Sequence, residues 1–180
     1  MLSGRSFCIA GARVVCPGER TEETTVFVQD GRIADVCPGG VGDWSGPVVQ
    51  ADGACLTPGL IDIHTHGIQQ LRYESGGEEL ALAAAQLGAF GCTCVFPTLI
   101  GKAEASFLPL LEETCRTLPT IQSVCMPGVH VEGPFLAYTG AGCTTTPGDV
   151  GFLDEMLAAA GGRLAAMSIS PEVRNIIPVI

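Results

Sequence analysis

Positive charge is scarce in this sequence. Nine Lys and Arg stand against 19 Asp and Glu, giving a formal net charge of −10, and Lys102 is the single lysine. Nucleic-acid binding depends on cationic side chains displacing counterions, so this balance argues against a nucleic-acid partner. Long apolar runs are missing as well: no stretch approaches the roughly 18 residues of a membrane span, and no membrane partner is expected. Met1 to Ala10 has no sustained apolar core, so a signal peptide is not expected. No CxxC pair occurs among the nine cysteines. An odd count without that spacing reads as free thiols in a reducing, cytoplasmic compartment. Charged residues make up only 16% and hydrophobic ones 47%, so a packed core is expected in place of disorder.

The first fifty or so residues read as β-structure. Ala12-Arg13-Val14-Val15 and Thr24 to Gln29 are strands. Asp30-Gly31 is a two-residue hairpin signal leading into Arg32 to Val36. Pro38 to Pro47, with four glycines between them, is a loop, and Val48-Val49 resumes extended structure before the Asp52-Gly53 turn.

From Cys55 onward strands and helices alternate. Leu60-Ile61-Asp62-Ile63-His64 reads as a buried strand and Glu78 to Leu87 as a helix with acidic residues in its first turn. Cys92 to Phe96 is a second strand, ending at Pro97. Phe107, Leu108, Leu111, Cys115 and Leu118 recur at helical spacing, with Pro109 near that helix's start. Val124 to Val131 contains a third strand, Phe152 to Ala160 a helix closed by Gly161-Gly162, and Leu164 to Ile169 a fourth strand. Ile176 to Ile180 is a candidate fifth. Such alternation implies parallel strands. A full eight-stranded barrel takes roughly 250 residues, more than residues 55–180 supply. Half a barrel or an open doubly wound sheet fits.

All three histidines close predicted strands. Alternation in Ile61-Asp62-Ile63-His64-Thr65-His66-Gly67 places Asp62, His64 and His66 on one face. Two residues along a strand span roughly 6.6 Å, near enough for two imidazoles to converge on one ion. In Gly128-Val129-His130-Val131-Glu132-Gly133-Pro134-Phe135, alternation likewise puts His130 and Glu132 on one face, with Val129 and Val131 on the other. A carboxylate at the end of a buried strand is costly unless it is paired or bound to a metal. For either cluster alone, the plainer alternative is a set of satisfied polar side chains at a strand end.

Cys-Leu-Thr-Pro-Gly-Leu-Ile-Asp-Ile-His-Thr-His-Gly at residues 55–67 resembles the first barrel strand of the amidohydrolase superfamily. His130-Val131-Glu132-Gly133-Pro134-Phe135-Leu136 resembles the metal-binding segment of its N-acetylglucosamine-6-phosphate deacetylase family. Phe96-Pro97-Thr98-Leu99 and Ser168-Ile169-Ser170-Pro171-Glu172 sit where that family has similar strand ends. The resemblance implies an α/β chain: residues 1–54 as a small β-sandwich segment, and residues 55–180 as the N-terminal half of a TIM-type (β/α)8 barrel, truncated.

It also implies metal-dependent deacetylation of an amino-sugar phosphate. One or two divalent ions, Zn²⁺ or similar, would be held by Glu132, His64 and His66. Cys143 and Thr144 would be the substrate-binding positions, and the full-length family implies a homodimer. Three departures accompany this. No histidine follows His130, so the family's two later histidine ligands and its acid/base Asp are expected beyond Ile180. No catalytic residue is therefore assigned in this chain, and the isolated chain is expected to be inactive. Where the family has Gly-x-His, the sequence reads Gly142-Cys143-Thr144. The competing readings are a dihydroorotase- or allantoinase-like enzyme, an inactive remnant and an open α/β binding module. The first is weakened because Lys102, the single lysine, follows the second strand and not a middle one.

Overall fold

A computed structural model describes residues 6–16, 18–104, 106–139 and 143–180. Gly142 of the Gly142-Cys143-Thr144 segment, and Met1 to Arg5 of the stretch read for a signal peptide, lie outside them. The chain divides into two compact units, Met1–Pro58 and Gly59–Ile180.

The first unit is a five-stranded sheet. β1 (Phe7–Cys16) pairs antiparallel with β2 (Glu19–Gln29), which pairs antiparallel with β3 (Arg32–Pro38). β4 (Val48–Gln50) and β5 (Cys55–Leu56) both run parallel to β1. The hairpin predicted at Asp30-Gly31 is present. Both residues have positive φ, 50° and 75°, which Asp tolerates and Gly adopts freely, and Gln29 pairs with Arg32. Ala12, Val14 and Val26 are buried, and Ile9, Ala51 and Leu56 pack against them. Cys55 and Leu56 belong to this sheet through their pairing with Arg13 and Val14.

The second unit holds a parallel sheet in the order β11-β10-β9-β6. β6 is Leu60–Thr65, followed by a short hairpin of β7 (Gly67–Ile68) and β8 (Leu71–Arg72). β9 is Cys92–Ile100, β10 Val129–Glu132 and β11 Leu164–Ser168. Between successive sheet strands run α1 (Gly77–Ala89), α2 (Phe107–Thr117) and α3 (Val150–Ala160). α3 is delimited by its caps. The Asp149 side chain accepts from the Phe152 N–H at 3.1 Å, and Gly161 turns the chain left-handed at φ 55°.

One apolar cluster joins the helices to one face of the sheet. Val95 and Leu99 of β9 and Val129 and Val131 of β10 meet Leu80 and Leu87 of α1, Leu111 of α2 and Met156 of α3. Alternation sends the even-numbered residues of β10, His130 and Glu132, to the other face. No helix among the described residues is long and apolar enough to cross a membrane.

Three local readings of the sequence are corrected. β6 is not buried: Leu60, Ile61 and Ile63 are 61%, 67% and 67% exposed, because β6 is an edge strand with one neighbour. β9 does not stop at Pro97. It runs on to Ile100, and a register shift between Asp62 and Thr65 lets Pro97 pair with Thr65 without donating. The third strand expected within Val124 to Val131 is present as β10, which starts at Val129 because Pro127 has no N–H for a ladder; Cys125 upstream makes only an isolated bridge to Cys94. Ile176 to Ile180 is not a strand. Asn175 at φ 60° turns the chain, and Ile177–Val179, containing Pro178, closes a 3-10 turn.

Burial of titratable groups in this core predicts a pH dependence. Burial pushes the Cys115 thiol up from 9.0 to about 11, partly offset by the Arg163 guanidinium. It raises the Tyr73 hydroxyl as well. Above pH 9 the unfolded chain releases the Cys115 proton while the folded chain keeps it. The corresponding stability is fully present below 9.0 and is lost as pH rises toward about 11. Urea unfolding should show a decline of about 1–2 kcal/mol over that window, and Cys115→Ala should reduce it, leaving the part that Tyr73 contributes.

Candidate metal centre

The C-terminal ends of β6, β9, β10 and β11 bring together polar side chains from segments far apart in sequence. His64 lies in β6, and His66 follows its last residue, Thr65. Glu132 ends β10. Gly133 then takes a positive φ of 83°, and a Cβ at Gly101 would sit 2.7 Å from the Gly133 backbone. The two loops leaving β9 and β10 thus approach as closely as glycine permits.

Three donor atoms converge. His66 Nε2 is 3.0 Å and His64 Nε2 3.3 Å from the same Glu132 oxygen, Oε2, and the two Nε2 atoms are 3.4 Å apart. Each can offer a lone pair to a shared cation. A single proton can bridge only one such pair, whereas a cation meets all three. Ligands held tetrahedrally at roughly 2.0–2.1 Å from an ion lie roughly 3.3–3.4 Å apart, so the donor set fits a divalent metal. Glu132 is partly shielded, its side chain 22% exposed, which strengthens its interaction with any cation held there.

Asp62, expected on the face of His64 and His66, is not in this set. Its carboxylate accepts the His64 N–H at 3.0 Å, and the register shift after Asp62 breaks strict alternation in β6.

His130 shares the face of Glu132 but stays outside the donor set. Its ring stands edge-on to His64 with centroids 4.8 Å apart. Thr98 Oγ1 lies 3.2 Å from its Nδ1, and Ser168 Oγ 2.8 Å from its Nε2. Burial, and then the neighbouring His64, hold its pKa below the ordinary imidazole value. A neutral imidazole has one donor and one acceptor nitrogen, which matches two hydroxyl partners. Thr98 Oγ1 also accepts the Thr65 N–H at 3.1 Å. This chain of contacts therefore ties β6, β9, β10 and β11 together beneath the donor set.

The sequence marked Thr98 and Ser168 as strand-end residues without assigning them a role. Their position one pairing step across from His130 and Glu132 is the signal that could have found them. Cys143 is buried, and its thiol is raised by burial first and then by the Glu132 and Glu74 carboxylates, which places it in reach of the site's charge. Thr144 is exposed. Beside His66 a cavity of about 300 Å³ is lined also by Arg72 and Glu74, neither singled out from the sequence.

No protein-family model matches the chain. It is 28% identical over 176 residues to the N-acetylglucosamine-6-phosphate deacetylase of Caenorhabditis elegans, a match covering 88% of this chain and 38% of that protein. It is 39% identical over 88 residues to the allantoinase of Bacillus velezensis, covering 49% of this chain and 18% of that protein. Among solved structures, the N-acetyl-D-glucosamine-6-phosphate deacetylase of Mycobacterium smegmatis superposes with a TM-score of 0.78 at 23% identity, over 93% of this chain and 48% of that one. The chain thus spans less than half the length of these relatives. The curated and structural neighbours that match over most of the 180 residues include N-acetylglucosamine-6-phosphate deacetylases, of the amidohydrolase family.

Proposed function

We propose that this chain carries part of a metal-dependent amide-hydrolysing site whose substrate is N-acetylglucosamine 6-phosphate. The convergence of His64, His66 and Glu132 on one point is the observation that carries this reading. Similarity over most of the chain to deacetylases of that name supports the substrate. Residues 59–180 are read as the N-terminal half of a (β/α)8 barrel and the first unit as part of a small β-sandwich. Free thiols are compatible with a cytoplasmic setting.

Glu132 would hold the ion through Oε2, neutralising part of its charge, and His64 and His66 through Nε2. A divalent ion so held supplies Lewis-acid activation of a water and of the acetamide carbonyl. His130, neutral and fixed by Thr98 and Ser168, keeps β10 in register with its neighbours, so that Glu132 is presented without a competing positive charge from His130. Arg72, in the cavity beside His66, offers a cationic group to an anionic substrate.

Three protein donors are present here, and no histidine follows His130. The expected behaviour of these 180 residues alone is therefore metal uptake without turnover. Elemental analysis after Zn²⁺ loading and removal of excess should find about one ion per chain. Acetate release from N-acetylglucosamine 6-phosphate should not exceed that of a Glu132→Ala control. A chain that retains no ion would overturn the metal reading; release well above the control would overturn the inactivity. The allantoinase match favours a cyclic amide as second substrate class, to be assayed in parallel.

A further inference from the structure

Outside the metal centre, the cluster of reactive side chains with the most defined geometry is a pair of thiols near the N-terminal end of the parallel sheet. Cys94 of β9 and Cys125, in the segment leading to β10, face each other in an isolated parallel bridge. Two backbone hydrogen bonds fix it: Val95 N–H donates to the Cys125 carbonyl and Cys125 N–H to the Thr93 carbonyl, each at 2.9 Å. Cys125 is therefore clamped between the two neighbours of Cys94. Paired positions on adjacent strands lie roughly 4.7–4.9 Å apart, inside the roughly 4.4–6.8 Å window between Cα atoms that a disulfide accepts. Their side chains leave the sheet on the same side. Both thiols are free; Cys125 is exposed and Cys94 half-buried.

We propose that Cys94 and Cys125 form a dithiol modification site that closes to an intramolecular disulfide on exchange with a low-molecular-weight disulfide such as oxidised glutathione. The exposed Cys125 thiolate attacks one glutathione sulfur, breaking that S–S bond and releasing one glutathione. Cys94 then gives its proton to solvent, and its sulfur attacks Cys125 Sγ, expelling the second glutathione. Two protein thiols are oxidised and one glutathione disulfide is reduced to two thiols. Cys94 suits the second role. Burial, and then the adjacent Cys125 sulfur, hold its thiol above the ordinary value, so the less exposed Cys94 does not compete for the first attack, and closure quickens as pH rises. The bond would tie β9 covalently to the segment that enters β10, the strand of His130 and Glu132.

The test is incubation of the whole chain with oxidised glutathione, differential alkylation and peptide mapping by mass spectrometry. In the wild type, alkylation of Cys94 should fall about tenfold together with that of Cys125, and one peptide pair should be cross-linked with the loss of two hydrogen atoms. In Cys125→Ser, Cys94 should remain alkylatable. In Cys94→Ser, Cys125 should retain its glutathione. Wild-type chain that keeps glutathione on Cys125 with Cys94 still alkylatable would overturn the proposal. So would equal protection of Cys94 in Cys125→Ser, because protection would then not need its partner. Circular dichroism of both variants confirms that the fold is unchanged.

Discussion

Glutamine in place of Glu132 is expected to reduce the affinity for divalent ions by at least about 100-fold while leaving the apo fold intact. Groups that merely orient a ligand already alter affinity by about 10–100-fold when removed, and Glu132 supplies the one anionic donor of the set. The amide has the carboxylate's shape and can still bond the imidazoles through oxygen or nitrogen, but it carries no charge to offset a dication. The distinction can be read without turnover. A ligand that binds only the folded chain stabilises it by about 4.1 kcal/mol when present at about 1,000 times its Kd. Thermal unfolding of the wild-type chain should therefore shift upward with Zn²⁺, and that of Glu132→Gln by no more than about a third as much, their apo midpoints being alike. His66→Ala should lose most of the shift too, as its Nε2 is the nitrogen nearest the carboxylate, 3.0 Å away. An equal upward shift in the glutamine variant would show that the ion binds elsewhere.

How far the site was legible in the sequence depends on which physical constraint each residue obeys. Alternation places His64 with His66 on one face and Glu132 with His130 on one face; that the two strand ends meet is implied only by the resemblance, and the structure brings the three side chains together. Asp62 obeys the same alternation on paper but falls outside the set, because the bulge after it depends on how β6 pairs with β9. The pairing of Cys94 with Cys125 was equally hidden, since it rests on register between segments about thirty residues apart. Among the elements, those with local punctuation were readable, such as the Asp30-Gly31 hairpin and the C-terminal end of α3 at Gly161. Those whose limits depend on neighbours were not. Nothing local in Leu60-Ile61-Asp62-Ile63 says that β6 has only one strand beside it, so its apolar residues read as buried.

Leu111→Ala carries the largest expected effect on stability. Leu111 is fully buried in α2, inside the cluster that joins all three helices to β9 and β10. Truncation to Ala removes the transfer free energy of the lost carbons and leaves a cavity that helix and sheet, each held by its own hydrogen bonds, cannot collapse to fill. Such changes cost about 2–5 kcal/mol, a large share of the roughly 5–15 kcal/mol that separates folded from unfolded in an ordinary domain. Helical circular dichroism follows this unit, because α1, α2 and α3 all lie within Gly59–Ile180. Its urea midpoint should fall accordingly. Leu82→Ala on α1, where the side chain is 51% exposed, should change the midpoint by no more than about 0.5 kcal/mol equivalent. Equal losses at the two positions would mean that burial of Leu111 against the sheet is not what holds these helices. The parallel strands that place His64, His66 and Glu132 within 3.4 Å of one another would then lack the rigid backing a metal centre requires.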